Sequence, residues 1–141
     1  MEKKVEITRL LERHKLNSTP CRRGILNLFL TTPYALSHQD IVNGLNSEFD
    51  RVTIYRTFTS FEKKGLVHKL IDVEGVAKYA LCAHDCSTGR HNDSHLHFSC
   101  VKCQKTICID HGEIPDVKIP EGYRLTKLNL LAEGVCKDCS L

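Results

Sequence analysis

Apolar residues at helical spacing organise the first part of the chain. Val5, Leu10, Leu11 and Leu16, separated by Lys and Glu, predict an amphipathic helix over residues 2–15. Ser18-Thr19-Pro20 marks the next helix start, with Thr19 able to cap it and Pro20 at the first helical position, where a missing N–H costs nothing. Ile25, Leu26, Leu28, Phe29 and Leu30 make that helix largely buried, and it ends before Pro33. Ser37 caps a short third helix with Ile41, Val42 and Leu45 inward. Asp50 caps a fourth, Arg51 to Lys64, stopped by Gly65, with Val52, Ile54, Phe58 and Phe61 as its apolar stripe. His14 and His38 are expected at the surface of this helical part.

After Gly65 the period changes. Residues 66–71 and 76–81 read as two strands around a turn at 73–75, a hairpin appended to the helices, which is the winged form of helix-turn-helix. Residues 83–94 carry few apolar side chains and read as a loop or hinge. Strands are expected at 96–101 and 106–109. Two prolines and two glycines keep any helix in 111–122 short, and a last strand is expected over Tyr123–Leu131.

Charge and cysteine usage divide the chain in the same place. Residues 1–66 carry 11 Lys/Arg against 7 Asp/Glu, and residues 67–141 carry 9 against 10. The second part also holds seven of the eight cysteines and six of the eight histidines. An anion-binding module joined to a metal-binding one accounts for this split. Hydrophobic residues make up 41% of 141. Two parts of this size have marginal cores, so a metal staple or dimerisation is expected. No apolar run approaches the ~20 residues that span a bilayer, and the charged start Met1-Glu-Lys-Lys is unlike a signal peptide. A cytoplasmic protein with no membrane partner is expected, with cysteines that ligate metal or react as thiols rather than form disulfides.

The fourth helix has the two faces a recognition helix needs. Behind its apolar stripe, Arg51 and Arg56 can meet phosphate or guanine, Thr53 a phosphate or thymine methyl, and Tyr55 a phosphate or base edge, while Arg22 can hold the DNA backbone. Winged helices also dock proteins, and the residues alone leave both readings open.

Cys100-x-x-Cys103 and Cys136-x-x-Cys139 are paired at the spacing of a closed tetrahedral thiolate set, which points to structural zinc; two reactive dithiols are the alternative. His95 and His97 point the same way on one strand and need further ligands. Cys82, ending the wing, and His68, in its first strand, would let one ion bridge the two modules. His84, Cys86, His91, Cys108 and His111 are further candidates for metal or redox work. A His/Cys set takes Zn2+ and also accepts Fe2+. The chain shows neither His-Glu-x-x-His nor a deaminase-like His-x-Glu with Pro-Cys-x-x-Cys, so an enzyme is not expected.

Taken together, Leu16-x-x-Thr19-x-x-Arg22, Val52-Thr-Ile-Tyr-Arg-Thr57, Glu62-x-x-Gly65-Leu66-Val67, His95-x-His97-x-x-Cys100-x-x-Cys103 and Cys136-x-x-Cys139 resemble the ferric uptake regulator family. The resemblance covers nearly the whole chain. It implies a mixed α/β (α+β) protein: a winged-helix DNA-binding domain over 1–82, a hinge loop over 83–94, and a small α/β dimerisation domain with a four-cysteine zinc site over 95–141. It implies a homodimeric repressor of metal-uptake genes that closes on AT-rich palindromic double-stranded DNA when metal binds. Tyr55 and Arg56 would face DNA, and His95 and His97 would belong to the hinge sensor. Iron- and peroxide-sensing members commonly place an acidic ligand five positions after the second knuckle cysteine, where this chain has Cys108. Cys82 with His68 fourteen positions earlier is more similar to zinc uptake regulators. Zinc or iron is thus the expected regulatory metal, and a thiol or peroxide redox sensor of the same fold is the alternative.

Overall fold

The computed structural model describes residues 2–81, 95–109, 116–126 and 128–141, apart from the side chains of His95 and Asn129. The expected hinge, with Cys82, His84, Cys86 and His91, and also His111, lies outside the described residues.

Four helices open the chain: α1 (Glu2–Arg13), α2 (Pro20–Thr31), α3 (His38–Gly44) and α4 (Arg51–Lys63). Their ends are set by local hydrogen bonds. The Thr19 hydroxyl accepts from the Arg22 N–H at 3.2 Å. Ser37 and Asp40 form a reciprocal capping box, with bonds of 3.1 and 2.9 Å. Asp50 accepts from the Thr53 N–H at 2.8 Å. At the end of α4 Gly65 takes φ +75°, so that the Leu66 N–H reaches the Phe61 carbonyl and the Gly65 N–H that of Glu62. Glycine bears this left-handed stop without the Cβ penalty. The helices enclose one core, built around Leu11, Ile25, Leu26, Ile41, Ile54, Phe58 and Phe61.

Four expectations about this helical part are corrected. Val5 and Val52 are exposed rather than inward. On α4 the buried set is Ile54, Thr57, Phe58 and Phe61, and Val52, two residues before Ile54, falls on the far side of the helix. His14 is buried, its Nδ1 donating at 2.8 Å to the Leu10 carbonyl, which also accepts the His14 backbone N–H at 3.2 Å at the end of α1. His38 is half-buried, its ring packed against Tyr55 and Phe58.

The wing is a three-stranded antiparallel sheet in the order β1 (Leu36–Ser37), β3 (Ala77–Leu81), β2 (Val67–Ile71). It is covered on both faces. Val67 and Tyr79 pack on the helical core. His68, Leu70 and Lys78 are buried on the opposite face. The register that pairs His68 with Ala80 and Leu70 with Lys78 puts these residues together there. That face meets the second sheet.

The second sheet has the order β5 (Thr106–Ile109), β4 (His95–Cys100), β6 (Asn129–Gly134), with β5 antiparallel and β6 parallel to β4. The last strand therefore lies later than the expected Tyr123–Leu131. Residues 116–126 form neither helix nor strand, and Tyr123 is exposed. In this register the Phe98 ring lies close over Gly134, where a Cβ would meet it at 3.1 Å. Among the described residues no helix is long and apolar enough to cross a membrane.

Candidate metal centres and DNA-reading face

The β4–β6 register pairs Cys100 with Gly134, which carries Cys136 alongside the knuckle at the end of β4. The thiols of Cys100, Cys103, Cys136 and Cys139 lie within 4.8 Å of one another. Cys103 and Cys136 are 3.8 Å apart, Sγ to Sγ. A zinc ion with bonds of about 2.3 Å to tetrahedral thiolates requires neighbouring sulfurs roughly 3.8 Å apart, so the set is suitable for structural zinc. The cluster is electrostatically uneven. The backbone N–H groups of Cys103 and Cys136 draw the Cys100 thiol down to about 6. The hydrogen bond with Cys136, with burial behind it, pushes Cys139 up to about 12. The four thiols must be deprotonated to ligate, so metal binding releases protons, and Cys100 gives its proton up more readily than Cys139.

The second cluster joins wing to sheet. His68 comes from β2, His97 from β4 and Cys108 from β5, with ligand atoms all within 4.8 Å of one another. His97 stands opposite Cys108 in the β4–β5 ladder, so strand pairing alone brings those two together. His68 reaches across from the wing to place its Nε2 3.1 Å from that of His97, and both rings are buried. Two imidazoles and a thiol converging there form a borderline-soft donor set that can take zinc or ferrous iron. Of the sensor ligands expected from sequence, His68 and His97 meet here. His95 occupies the first position of β4, its side chain outside the description, as Cys82 is altogether. Cys108, a further candidate by its position five residues after Cys103, joins them because the β4–β5 register sets it opposite His97.

On α4, Arg51, Val52, Thr53, Tyr55 and Arg56 are all exposed on the face away from the core. Val52, expected inside, offers this face a methyl surface of the kind that meets thymine. The Tyr55 ring leans edge-on against His38 at 5.6 Å, which fixes its direction. Arg22 is tied into the head: its guanidinium donates to the Asn17 carbonyl at 2.8 Å and approaches Ser60 on α4 at 3.5 Å.

Comparison with known proteins matches residues 13–131 to the ferric uptake regulator family. A ferric uptake regulation protein of Neisseria meningitidis serogroup C is 35% identical over 147 residues, covering 99% of this chain and 96% of its own. One from Synechococcus elongatus is 32% identical over 130 residues, covering 86% and 84%. Among solved structures, a zinc uptake regulator complexed with zinc and DNA superposes with a TM-score of 0.68 at 18% identity, covering 99% of this chain and 96% of its own. The Helicobacter pylori ferric uptake regulator gives 0.60 at 15%, covering 99% and 93%. At these identities the structures speak to the fold alone.

Proposed function

This chain belongs to the ferric uptake regulator family, a family of DNA-binding metalloregulators and not of enzymes, and we propose that it is a zinc-responsive repressor of metal-uptake genes. In this reading residues 1–82 form the DNA-reading head, 83–94 the hinge and 95–141 the dimerisation unit. A homodimer presents two α4 helices to an AT-rich palindromic operator. The observation that carries the choice of metal is the His68/His97/Cys108 cluster. His68, His97 and Cys108 would hold the ion, with His95 and Cys82 as further ligands. Bound there, zinc supplies a cross-link between wing and sheet. A thiolate where iron-sensing relatives use a carboxylate favours zinc over ferrous iron.

The residues of this chain then do the rest. His68 and His97 must be neutral and Cys108 deprotonated to bind, so affinity falls with pH. Once linked, the wing holds its head at a fixed angle to the second sheet, and Tyr55 and Arg56 reach successive grooves together. Operator affinity measured against buffered Zn2+ and Fe2+ tests this: zinc should drive binding at the lower free concentration. A stronger response to iron would reverse the choice of metal, and no response to either would reject metal control.

The half-buried sulfur of Cys108 favours a second reading, in which an oxidant acts on the thiol, removes a ligand and releases DNA. Peroxide treatment of the zinc-loaded protein separates the two. Release of zinc and operator in the wild type, but not in C108D, is the redox outcome.

A further inference from the structure

The cluster described above is one tie between wing and second sheet; a separate one lies at the other end of the interface. Lys78 is buried, although its residue type is almost never so unless paired. Its ammonium has two partners. One is Asp72 Oδ2 at 3.2 Å, in the turn of the wing, with 11% and 4% of the two side chains exposed. The other is the backbone carbonyl of Gln104, in the turn that carries Cys103. Three more contacts run between the same two pieces. Gln104 Nε2 donates to Glu74 at 2.7 Å. The Ala35 N–H donates to the Thr106 carbonyl at 2.6 Å. Lys105 stands 4.9 Å above the Tyr34 ring. The four-cysteine knuckle is therefore bonded directly to the DNA-reading head.

We propose that Lys78 is a positioning residue for DNA binding, latching the wing to the zinc knuckle so that head posture depends on the four-cysteine turn as well as on the three-ligand site. The chemistry fits a latch. Asp72 spends its other oxygen on the N–H groups of Glu74 and Val76, both at 2.9 Å, which fixes the carboxylate that aims Lys78. The carbonyl it grips belongs to Gln104, held at φ +64° by the tight turn after Cys103. Collapse of the thiolate cluster would move that carbonyl and free the head. Because Lys78 is buried, it contacts no phosphate.

The latch rests on the reading that head posture sets operator affinity, and it is tested at constant, saturating zinc. In D72N/K78M the amide oxygen that replaces the carboxylate can still accept the two turn N–H groups, and no charge is left unpaired. Operator affinity should fall about tenfold, ~1.4 kcal/mol. Zinc stoichiometry should stay at the wild-type value, and the salt slope should not change, since no phosphate contact is lost. The radius of gyration of the free dimer should rise. Wild-type affinity in a folded D72N/K78M protein overturns the latch. Should that variant lose its wing, D72N alone decides instead, since its amide oxygen keeps the two turn bonds while Lys78 loses the charge that aims it: a loss of threefold or more supports the latch and an unchanged affinity overturns it. If zinc-free wild type binds operator as tightly as the loaded form, the metal reading fails. The D72N/K78M comparison still judges the latch separately, because both of its arms carry zinc.

Discussion

The two thiol-bearing clusters differ in how they are assembled. The four-cysteine set comes from two pairs, each local in sequence, brought together by one strand register inside one sheet. The His68/His97/Cys108 set takes one residue from each of three strands, and one of those strands belongs to the wing. An ion in the first stabilises a single sheet. An ion in the second exists only while two sheets hold a particular arrangement, so its occupancy and that arrangement are thermodynamically linked. On the proposed reading, a bound ion is a staple in the first cluster and a switch in the second. What separates the roles is whether the ligands cross a movable boundary.

The comparison breaks most easily at the staple. C136S should lose the four-cysteine zinc, and with it an ion whose binding is worth on the order of 10 kcal/mol in small zinc modules. The β5–β4–β6 sheet should then unfold while the helical head keeps its structure. Circular dichroism with zinc stoichiometry checks this, and a variant that stays fully folded without zinc would abolish the distinction.

At the switch the expected effect is smaller and of another kind. H97A should leave the fold and the four-cysteine zinc intact, yet remove most of the zinc-dependent gain in operator affinity, a coupling of roughly 5–150-fold. Fluorescence anisotropy with labelled operator at controlled free zinc measures it. Next comes C108D, which exchanges the soft donor for a carboxylate. Zinc affinity should fall about tenfold, ~1.4 kcal/mol, and the preference for zinc over ferrous iron should narrow. Competition against a zinc chelator reads both.

The smallest effect is set by acid. Burial pushes the Asp72 carboxyl up, but the Val76 N–H, the Lys78 ammonium and the Glu74 N–H outweigh it and leave the group below its ordinary 3.8. A folded-state pKa lowered in this way gives stability that is present above the unfolded value and lost as pH falls through the folded one. The wing should therefore loosen only below pH 3.8, and D72N should flatten that part of the acid unfolding curve. If instead D72N altered stability as much at the acid end of the curve as near neutral pH, the ion pair would not be what holds the turn.

Sequence by itself determined whatever depends on neighbours along the chain. Thr19-Pro20, Ser37, and Asp50 with Gly65 set their helix ends as read, because caps and stops are hydrogen bonds over three to five residues. The four cysteines announced their cluster because each Cys-x-x-Cys pair already holds half of a tetrahedron. Only the tertiary structure decided the rest. Val52 lies outside and His14 inside because helix phase and an end carbonyl outweigh hydropathy. The final strand runs over Asn129–Gly134, parallel to β4, where the Phe98 ring lies close to Gly134. Cys108 stands beside His97, and Lys78 beside the knuckle, through strand registers and sheet packing between residues far apart in sequence. Such pairings are chosen by the sum of many contacts, and no spacing along the chain records that sum.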